Sequence, residues 1–267
     1  MAKKAFVTGS SRGIGRGIAL KLAEAGYDVA VHYGKSAEKA EAVAAKIRGM
    51  GRESFVVQGD VRDLGQLNRA FDTVFEKFGR LDVFVNNAGI MGGEAYCPFL
   101  EVTPQFYDNL MNNDYRSYFF AAQRAAKNMV EHKTEGNIVF ISSINAYTCL
   151  PEANLYGPLK IAINKLVQHL AMELAPYRIR VNAVAPGTIM VDETGTVTPR
   201  LAQFRDRTPI PRFGYPEEIG NVVVFLVSEQ AGFIDGVTVP VDGAQQVPCL
   251  ADNTFVHREP PVFVRNY

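Results

Sequence analysis

The stretch Ala5-Phe-Val-Thr-Gly-Ser-Ser-Arg-Gly-Ile-Gly15 joins a short apolar run to the start of a helical pattern near the beginning of the chain. Its glycines, Gly9, Gly13 and Gly15, permit a tight turn and a close approach of the backbone to another group. The helix that follows would offer free N–H groups and the positive end of its dipole to a pyrophosphate. A purely structural strand-to-helix turn would use such glycines too, so the surrounding pattern has to decide.

The rest of the chain alternates short β-rich runs with longer amphipathic segments. Several of the runs are apolar without alternation, which is typical of strands buried on both faces. This order predicts an α/β fold with a parallel sheet, right-handed crossovers and helices on both faces. Strands are predicted at residues 4–8, 28–32, 53–58, 81–85, 137–141, 178–184 and 236–240, and helices at 13–25, 37–48, 64–78, 105–131, 154–175 and 216–227.

The sequence contains no linker, repeat or low-complexity stretch, which indicates a single domain over residues 1–243. Two segments differ from the rest in composition. Residues 188–212 are polar, Thr-rich and interrupted by proline, and we interpret them as an excursion that covers the substrate. Residues 244–267 follow the last predicted strand as a C-terminal tail, which either docks on a neighbouring subunit or frays.

Charge and apolar content exclude several classes of partner. The 28 basic and 28 acidic side chains give a formal net charge of zero, so nothing indicates binding to nucleic acid or to an anionic membrane. The longest apolar run, residues 222–227, is too short to span a bilayer. The sequence enters its first apolar run directly after Met1-Ala-Lys-Lys, without room for a signal-peptide core, and this predicts a cytoplasmic protein.

Cysteine and histidine usage argues against disulfides and metals. The three cysteines form no C-x-x-C motif, and the four histidines form no H-E-x-x-H motif. Reduced thiols fit a cytoplasmic protein. We therefore predict neither a disulfide framework nor a protein-bound metal; the residues concerned are Cys97, Cys149, Cys249, His32, His132, His169 and His257.

Ser143, Tyr156 and Lys160 have the spacing of a catalytic device. Tyr156 and Lys160 are four residues apart, so on a helix they share one face, and Ser143 lies at the end of a predicted strand. A tyrosine has a pKa of about 10, and a nearby ammonium should lower this pKa. The serine hydroxyl would then hold a substrate oxygen. Tyr and Lys four apart are also common by chance, so the pair alone does not establish a function.

The end of the second predicted strand bears on the choice of cofactor. An NAD site usually places an acidic residue there for the ribose hydroxyls, but this chain has Tyr33, Gly34 and Lys35. With Arg12 in the glycine turn, two cations and no carboxylate suit a 2′-phosphate. We therefore predict NADP(H). Two solvated surface charges are the alternative.

Two further strand ends could contact the nucleotide. Asp60 and Val61 follow the third strand and would border the adenine, while Asp63 there could be only a helix cap. The motif Asn86-Asn-Ala-Gly89 follows the fourth strand, where ligands of open α/β sheets bind. Asparagines at this position can also satisfy backbone groups between strands, so a mostly structural role is the alternative.

Taken together, the chain resembles the short-chain dehydrogenases/reductases from residue 5 to about residue 243. The similarity extends to members that act as 3-oxoacyl-carrier-protein reductases and as sugar or polyol dehydrogenases. Each matching motif is modest, but all of them occur in order and in register. They are T-G-x-x-x-G-I-G at 8–15, N-N-A-G at 86–89, Ser143, Y-x-x-x-K at 156–160, P-G at 186–187 and V-D-G at 241–243.

The resemblance implies a Rossmann-type, doubly wound parallel sheet of about seven strands with helices on both faces. It also implies oxidation or reduction with a nicotinamide nucleotide, and a homotetramer or homodimer. Tyr156 would be the acid in ketone reduction and the base in alcohol oxidation, Lys160 would lower its pKa and hold the ribose, and Ser143 would orient the substrate oxygen. The predicted cofactor site comprises Gly9, Ser11, Arg12, Gly13, Ile14, Gly15, Tyr33, Lys35, Asp60, Val61, Asn87, Ala88, Gly89, Tyr156, Lys160, Pro186, Gly187 and Ile189.

Asp114 departs from the family pattern. Related enzymes commonly carry an asparagine there, which completes a proton relay through water, and Asp114 is thus our fourth predicted catalytic residue. An aspartate can still accept a bond from water, but its charge would oppose formation of the Tyr156 phenolate. Asn112 or Asn113 could take this role only if the helix register shifts.

The residues expected to line the substrate pocket are Glu94, Tyr96, Asn145 and Tyr147. Their mixture of polar and aromatic groups favours a small, polar substrate, such as a ketone, a polyol or a sugar derivative, over a long apolar chain. A 3-oxoacyl thioester or a hydroxysteroid is the alternative substrate. A protein that binds the dinucleotide without turnover is the alternative function.

Overall fold

A computed structural model describes residues 2–90, 92–191 and 195–247. Within these residues seven strands pair in parallel to form one sheet. The strands are β1 (Lys4–Val7), β2 (Asp28–Tyr33), β3 (Ser54–Gln58), β4 (Val83–Asn86), β5 (Asn137–Ile141), β6 (Arg180–Pro186) and β7 (Thr238–Val241). Their spatial order is β3-β2-β1-β4-β5-β6-β7. The predicted Rossmann-type doubly wound sheet is thereby confirmed.

Helices connect the strands and cover both faces of the sheet. They are α1 (Gly13–Glu24), α2 (Ala37–Gly49), α3 (Leu64–Phe78), α4 (Pro104–Leu110), α5 (Ser117–Glu131), α6 (Tyr156–Leu174), α7 (Pro199–Asp206) and α8 (Pro216–Leu226). One apolar core lies between the sheet and α1, α2 and α8, and the other between the sheet and α3, α5 and α6. None of these described helices combines the length and the apolarity that crossing a bilayer requires.

The two cores explain the uninterrupted apolar strand sequences. In β1, Phe6 packs into the core with α3 and α5, whereas Ala5 and Val7 point into the core with α1 and α8. All three side chains are fully buried. Because successive strand residues face opposite sides, a strand covered on both sides needs apolar residues at every position.

The strand order reverses beside β1. From β1 the chain first builds outward to β2 and β3, and then returns to the other side of β1 with β4. Such a reversal leaves a crevice at the carboxyl ends of the strands, where ligands of open α/β sheets bind. The glycine turn follows β1, the N-N-A-G motif begins in β4, and Ser143 follows β5, so all of them lie at this edge.

Helix α1 is held against α8 by direct backbone contact. A Cβ atom on Gly17 would lie 2.5 Å from the carbonyl carbon of Pro216, and one on Gly220 would lie 2.8 Å from the Gly17 oxygen. Only glycine allows helices this close. This contact fixes the position of α1, and with it the position of the glycine turn.

The predicted helix at 105–131 is not uniform, which corrects our prediction. Helices α4 and α5 are joined by a π-helical segment, Met111–Arg116, which we call the π turn. It holds more residues per turn than an α-helix, and Asn113 and Asp114 are buried within it. Both side chains are turned inward, but Asp114 is the one that faces Lys160, while Asn113 donates to the Asp114 carboxylate.

The predicted excursion and tail are only partly described. Residues 188–212 contain the short helix α7, while 192–194 lie outside the described residues. Of the tail, residues 244–247 are described, and the predictions for 248–267 fall outside the described part of the chain.

Candidate active site

The glycine turn forms a close-fitting cradle at the start of α1. Gly9 and Gly13 have φ values of 65° and 55°, in the left-handed region that side chains disfavour. A Cβ atom on Gly15 would lie 2.4 Å from the Gly9 oxygen. No side chain caps α1, and its first turn carries no acid. These features fit the pyrophosphate of a dinucleotide, which would bind the N–H groups at the helix start.

His32 holds the glycine turn in place through hydrogen bonds, a role that the sequence analysis missed. The Gly9 N–H donates to His32 Nδ1 at 3.0 Å, and the His32 N–H donates to Ser10 Oγ at 2.9 Å. Burial lowers the pKa of His32 to about 4, with Asp60 acting in the opposite direction. The ring is therefore neutral at physiological pH and accepts a bond through Nδ1. A lone histidine inside an apolar strand was the available signal.

We expect His32 to make the fold sensitive to acid. Between pH 6.5 and about 4 the unfolded chain binds a proton that the folded chain does not, so stability falls as the pH falls. Lowering the pH from about 7 to about 5 should cost wild type about 2 kcal/mol in urea unfolding followed by circular dichroism. His32→Asn should remove most of this loss, whereas His169→Asn, at an exposed histidine, should not. Equal pH dependence in all three proteins would contradict the assignment.

The N-N-A-G motif is locked to β1. Thr8 Oγ1 accepts bonds from the N–H groups of Asn87 at 2.9 Å and Ala88 at 3.1 Å, and Asn87 Nδ2 donates to the Thr8 carbonyl at 2.8 Å. Asn86 Nδ2 donates to the Tyr118 carbonyl at 2.8 Å. Both asparagine side chains thus satisfy backbone groups, and they hold the rim of the crevice in place.

Charged groups gather at the ends of β2 and β3. Arg12 and Lys35 are exposed, Tyr33 and Asp60 are half-buried, and the exposed Arg62 forms an ion pair with Asp60 at 2.6 Å. The Arg62 hydrogen bonds hold the pKa of Asp60 below its usual value, and Lys35 acts in the same direction. The sequence analysis missed Arg62, which adds a third cation near this edge. Val61 is buried.

The structure brings Ser143, Tyr156 and Lys160 together, as predicted. Ser143 lies two residues after the end of β5, and its hydroxyl accepts a bond from the Asn145 N–H at 3.1 Å. Tyr156 and Lys160 lie in the first two turns of α6, both buried. Ser143 lies beside the Tyr156 phenol and acts to lower its pKa, and Lys160 Nζ lies 5.2 Å from the centre of the Tyr156 ring.

Asp114 joins this cluster through a buried ion pair. Its Oδ2 lies 3.0 Å from Lys160 Nζ, and both side chains are almost fully buried. Asp114 Oδ1 accepts bonds from the Ile90 N–H at 2.8 Å and from Asn113 Nδ2 at 2.7 Å. A Cβ atom on Gly89 would lie 2.9 Å from Asp114 Oδ2. The carboxylate therefore connects the π turn, the N-N-A-G loop and α6.

The pKa of Tyr156 lies above its ordinary value. Burial raises it, and Asp114 raises it further, whereas Lys160 and Ser143 lower it by less. The predicted directions of Lys160 and Asp114 are both found, and burial, which the sequence does not show, decides the net shift. Burial lowers the pKa of Lys160, but Tyr118, Asp114 and Tyr156 together raise it above the ordinary value, so Lys160 is charged.

Tyr118 was missed by the sequence analysis. Its fully buried ring lies 5.2 Å from Lys160 Nζ, on the helix that continues from the π turn. The ammonium thus lies near two aromatic rings, Tyr118 and Tyr156, beside the Asp114 carboxylate. Tyr118 is four residues after Asp114, and this spacing was the signal that could have revealed it.

The P-G motif closes the opposite side of the crevice. Pro186 ends β6, and a Cβ atom on Gly187 would lie 2.7 Å from Asp242 Cβ. The Thr188 N–H donates to Gln245 Oε1 at 3.0 Å, and the half-buried Ile189 packs against the core beneath α1 and α8. A glycine is required at 187 because the chain after β7 passes directly against it.

Two of the four predicted substrate residues lie at the cluster. The Tyr96 ring packs edge-to-face on Tyr156 with ring centres 6.0 Å apart, and Asn145 adjoins Ser143. The other two have different surroundings, and their contact with a substrate stays a prediction. Glu94 is exposed and acts on Arg62, near the end of β3. Tyr147 lines a separate cavity of about 660 Å³ between α6 and residues 236–238.

In the described part of the chain, no three or more His, Cys, Asp or Glu side chains lie close enough together to hold a metal ion. The candidate site therefore consists of hydroxyl, ammonium and carboxylate groups beside a nucleotide cradle. Such groups can transfer a proton to or from a reacting oxygen and hold that oxygen in place.

Comparison with known proteins gives consistent matches over most of the chain. A family model described as Enoyl-(Acyl carrier protein) reductase matches residues 9–244. The 3-oxoacyl-(acyl-carrier-protein) reductase FabG of Staphylococcus aureus is 40% identical over 244 residues, which cover 91% of this chain and 98% of the relative.

Solved structures agree with these matches. A short-chain dehydrogenase from Burkholderia cenocepacia in complex with NADP has a TM-score of 0.84 and 35% identity, covering 91% of this chain and 97% of its own. Acetoin dehydrogenase YohF from Salmonella typhimurium has a TM-score of 0.83 and 33% identity, covering 91% and 96%.

Proposed function

Since the chain belongs to the short-chain dehydrogenase/reductase family and is an oxidoreductase that uses a nicotinamide dinucleotide, we propose that it interconverts a secondary alcohol and a ketone with NADP(H). The observation that carries this proposal is the buried cluster of Ser143, Tyr156 and Lys160 at the carboxyl edge of the sheet, beside the glycine turn. We assign the proton transfer to Tyr156, because its phenol lies beside Ser143 and carries a transferable proton.

In ketone reduction, the bound nicotinamide supplies a hydride. The Tyr156 hydroxyl donates its proton to the carbonyl oxygen, which Ser143 holds by a hydrogen bond. The phenolate left on Tyr156 is stabilised by the Lys160 ammonium and is then reprotonated from water. In alcohol oxidation the same groups act in reverse, with the phenolate taking the hydroxyl proton.

Charge at the ends of β2 and β3 supports NADP(H) over NAD(H). Arg12 and Lys35 are exposed cations, and residues 34–36, between β2 and α2, include no acid to bind the ribose hydroxyls. The relative from Burkholderia cenocepacia was solved with NADP. The 2′-phosphate of this chain's cofactor would lie near Lys35.

Lys35→Ala should weaken NADPH binding about tenfold and leave NADH binding within about twofold, because only NADPH carries the 2′-phosphate. Fluorescence titration with each nucleotide measures both dissociation constants. Lys46→Ala, at an exposed lysine of α2 away from the strand ends, is the control and should change neither. An equal loss for both nucleotides would contradict the assignment of Lys35.

The polar wall of the pocket supports a small, polar ketone as substrate. Tyr96 and Asn145 flank the cluster, and the similarity to an acetoin dehydrogenase supports a short hydroxyketone or diketone. The similarity to a 3-oxoacyl-carrier-protein reductase favours a 3-oxoacyl thioester as the second candidate.

Incubation with NADPH and either diacetyl, a ketose or an acetoacetyl thioester, followed by nicotinamide absorbance, separates these candidates. Turnover of diacetyl or the ketose supports the first proposal, and turnover of the thioester alone supports the second. Binding of NADPH without turnover of any carbonyl compound would instead indicate a non-catalytic dinucleotide-binding protein.

Self-association as a homotetramer or homodimer is part of the proposal. Helices α5 and α6 expose large apolar side chains, including Phe119, Phe120, Ile161 and Met172. Such surfaces support packing between subunits.

A further inference from the structure

The Asp114–Lys160 pair changes the charge that faces Tyr156. Lys160 Nζ lies 3.0 Å from Asp114 Oδ2 and 5.2 Å from the centre of the Tyr156 ring. Both charged side chains are at least nine-tenths buried, so water screens the interaction little. A lysine alone would stabilise the phenolate strongly in such a place, whereas a lysine paired with a carboxylate presents almost no net charge.

Asp114 is also held rigidly in this position. Its Oδ1 is occupied by the Ile90 N–H and by Asn113 Nδ2, which leaves Oδ2 for the ammonium. The Asn113 amide is turned toward the carboxylate because both residues lie in the π turn. A neutral asparagine at 114 could still accept the Ile90 N–H but would not cancel the lysine charge.

The groups around the Tyr156 phenol come from every element packed on it. They are Lys160 on α6, Asp114 in the π turn, Tyr118 on α5, Ser143 after β5 and Tyr96 in the loop after β4. Lys160 and Asp114 are the two of these that form an ion pair, with Nζ and Oδ2 3.0 Å apart. The balance between them therefore decides how readily the phenol loses its proton.

We propose that Asp114 is a positioning residue that cancels the Lys160 charge and keeps the Tyr156 phenol protonated well into the alkaline range. This inference rests on the proposed function and adds a control of the reaction to it. In ketone reduction the O–H bond of Tyr156 breaks, its proton goes to the carbonyl oxygen, and the hydride from the reduced nicotinamide goes to the carbonyl carbon. Asp114 keeps that proton available over a wider pH range.

The protonation of Tyr156 can be measured without any substrate. The protein is labelled with ¹³C at the ζ carbon of its 11 tyrosines, and the Tyr156 signal is identified by its loss in Tyr156→Phe. We expect Tyr156 of wild type to lose its proton above about pH 10. In Asp114→Asn the midpoint should fall by about one to two pH units, because Lys160 then acts alone.

Asp28→Asn is the matched control. Asp28 is a buried aspartate that pairs with a lysine, Lys4, at 2.8 Å, but it lies at the start of β2, at the opposite edge of the sheet. This control should leave the Tyr156 midpoint unchanged. An unchanged midpoint in Asp114→Asn would overturn the inference. So would a wild-type midpoint below about pH 10, a result that needs Tyr156→Phe for the assignment but does not need Asp114→Asn to fold.

Turnover gives a second, separable readout. With NADPH and diacetyl, the pH at which kcat/KM for reduction begins to fall should move down by about one to two units in Asp114→Asn. A shift in the tyrosine titration without turnover of diacetyl, a ketose or an acetoacetyl thioester would refute the proposed function and leave the inference on Asp114 supported. Turnover by Asp114→Asn with an unshifted pH profile of kcat/KM would refute the inference and leave the proposed function supported.

Discussion

Replacing Tyr156 by phenylalanine is expected to lower kcat for reduction by about 10²- to 10⁴-fold, which is the usual contribution of a positioned acid. Phenylalanine keeps the ring that packs against Tyr96 and removes only the hydroxyl beside Ser143. The dissociation constant for NADPH should therefore stay within about twofold, since the glycine turn is untouched. Stopped-flow absorbance and fluorescence titration measure the two quantities on the same sample.

Tyr147→Phe is the matched control for this result. It removes the same hydroxyl from a tyrosine that lies in the cavity beside α6, away from the cluster. We expect a rate within about twofold of wild type, because no proton transfer is assigned to it. If Tyr156→Phe kept more than about a tenth of the wild-type rate, Tyr156 would not be the acid.

Lys160→Met should be the most destabilising single substitution in the cluster, at about 3–5 kcal/mol in urea unfolding. Methionine fills much of the space of the lysine, but the Asp114 carboxylate loses the ammonium 3.0 Å away and stays buried. A buried charge without its partner strongly destabilises the folded state. Far-UV circular dichroism follows the unfolding, because the chain has no tryptophan.

A second substitution isolates the cause of this loss. Lys160→Met combined with Asp114→Asn should be more stable than Lys160→Met alone, because the unpaired charge is gone. Lys4→Met breaks the more exposed pair with Asp28 and should cost about 1 kcal/mol. If the double variant were less stable than Lys160→Met, the destabilisation would have to come from packing instead of from charge.

The sheet could be predicted from the sequence because strands buried on both faces are apolar at successive positions. In β1, Ala5, Phe6 and Val7 are all apolar, since each faces one of two cores. The turn after β1 could be predicted because Gly9 and Gly13 adopt a backbone conformation that side chains disfavour. Both signals are local, so a single sequence contains them.

The environment of the cluster could not be predicted in the same way. The spacing of Tyr156 and Lys160 predicts that they share a helix face, but it does not show that burial outweighs the ammonium in raising the pKa of Tyr156. His32 and Tyr118 act through contacts between distant parts of the chain. Hydrophobic periodicity over 105–131 also gave no sign of the extra residue in the π turn.

The π turn makes the net charge beside Lys160 sensitive to the deletion of a single residue. Helix α5 is anchored by its buried residues, so the positions before it are counted back from Ser117. Deleting Tyr115 or Arg116 would remove the extra residue, and we expect Asn113 then to take the third position before Ser117, which Asp114 now occupies. A neutral amide would then stand beside the ammonium. Evolution can thus exchange a carboxylate for an amide here by length alone, without substituting either residue.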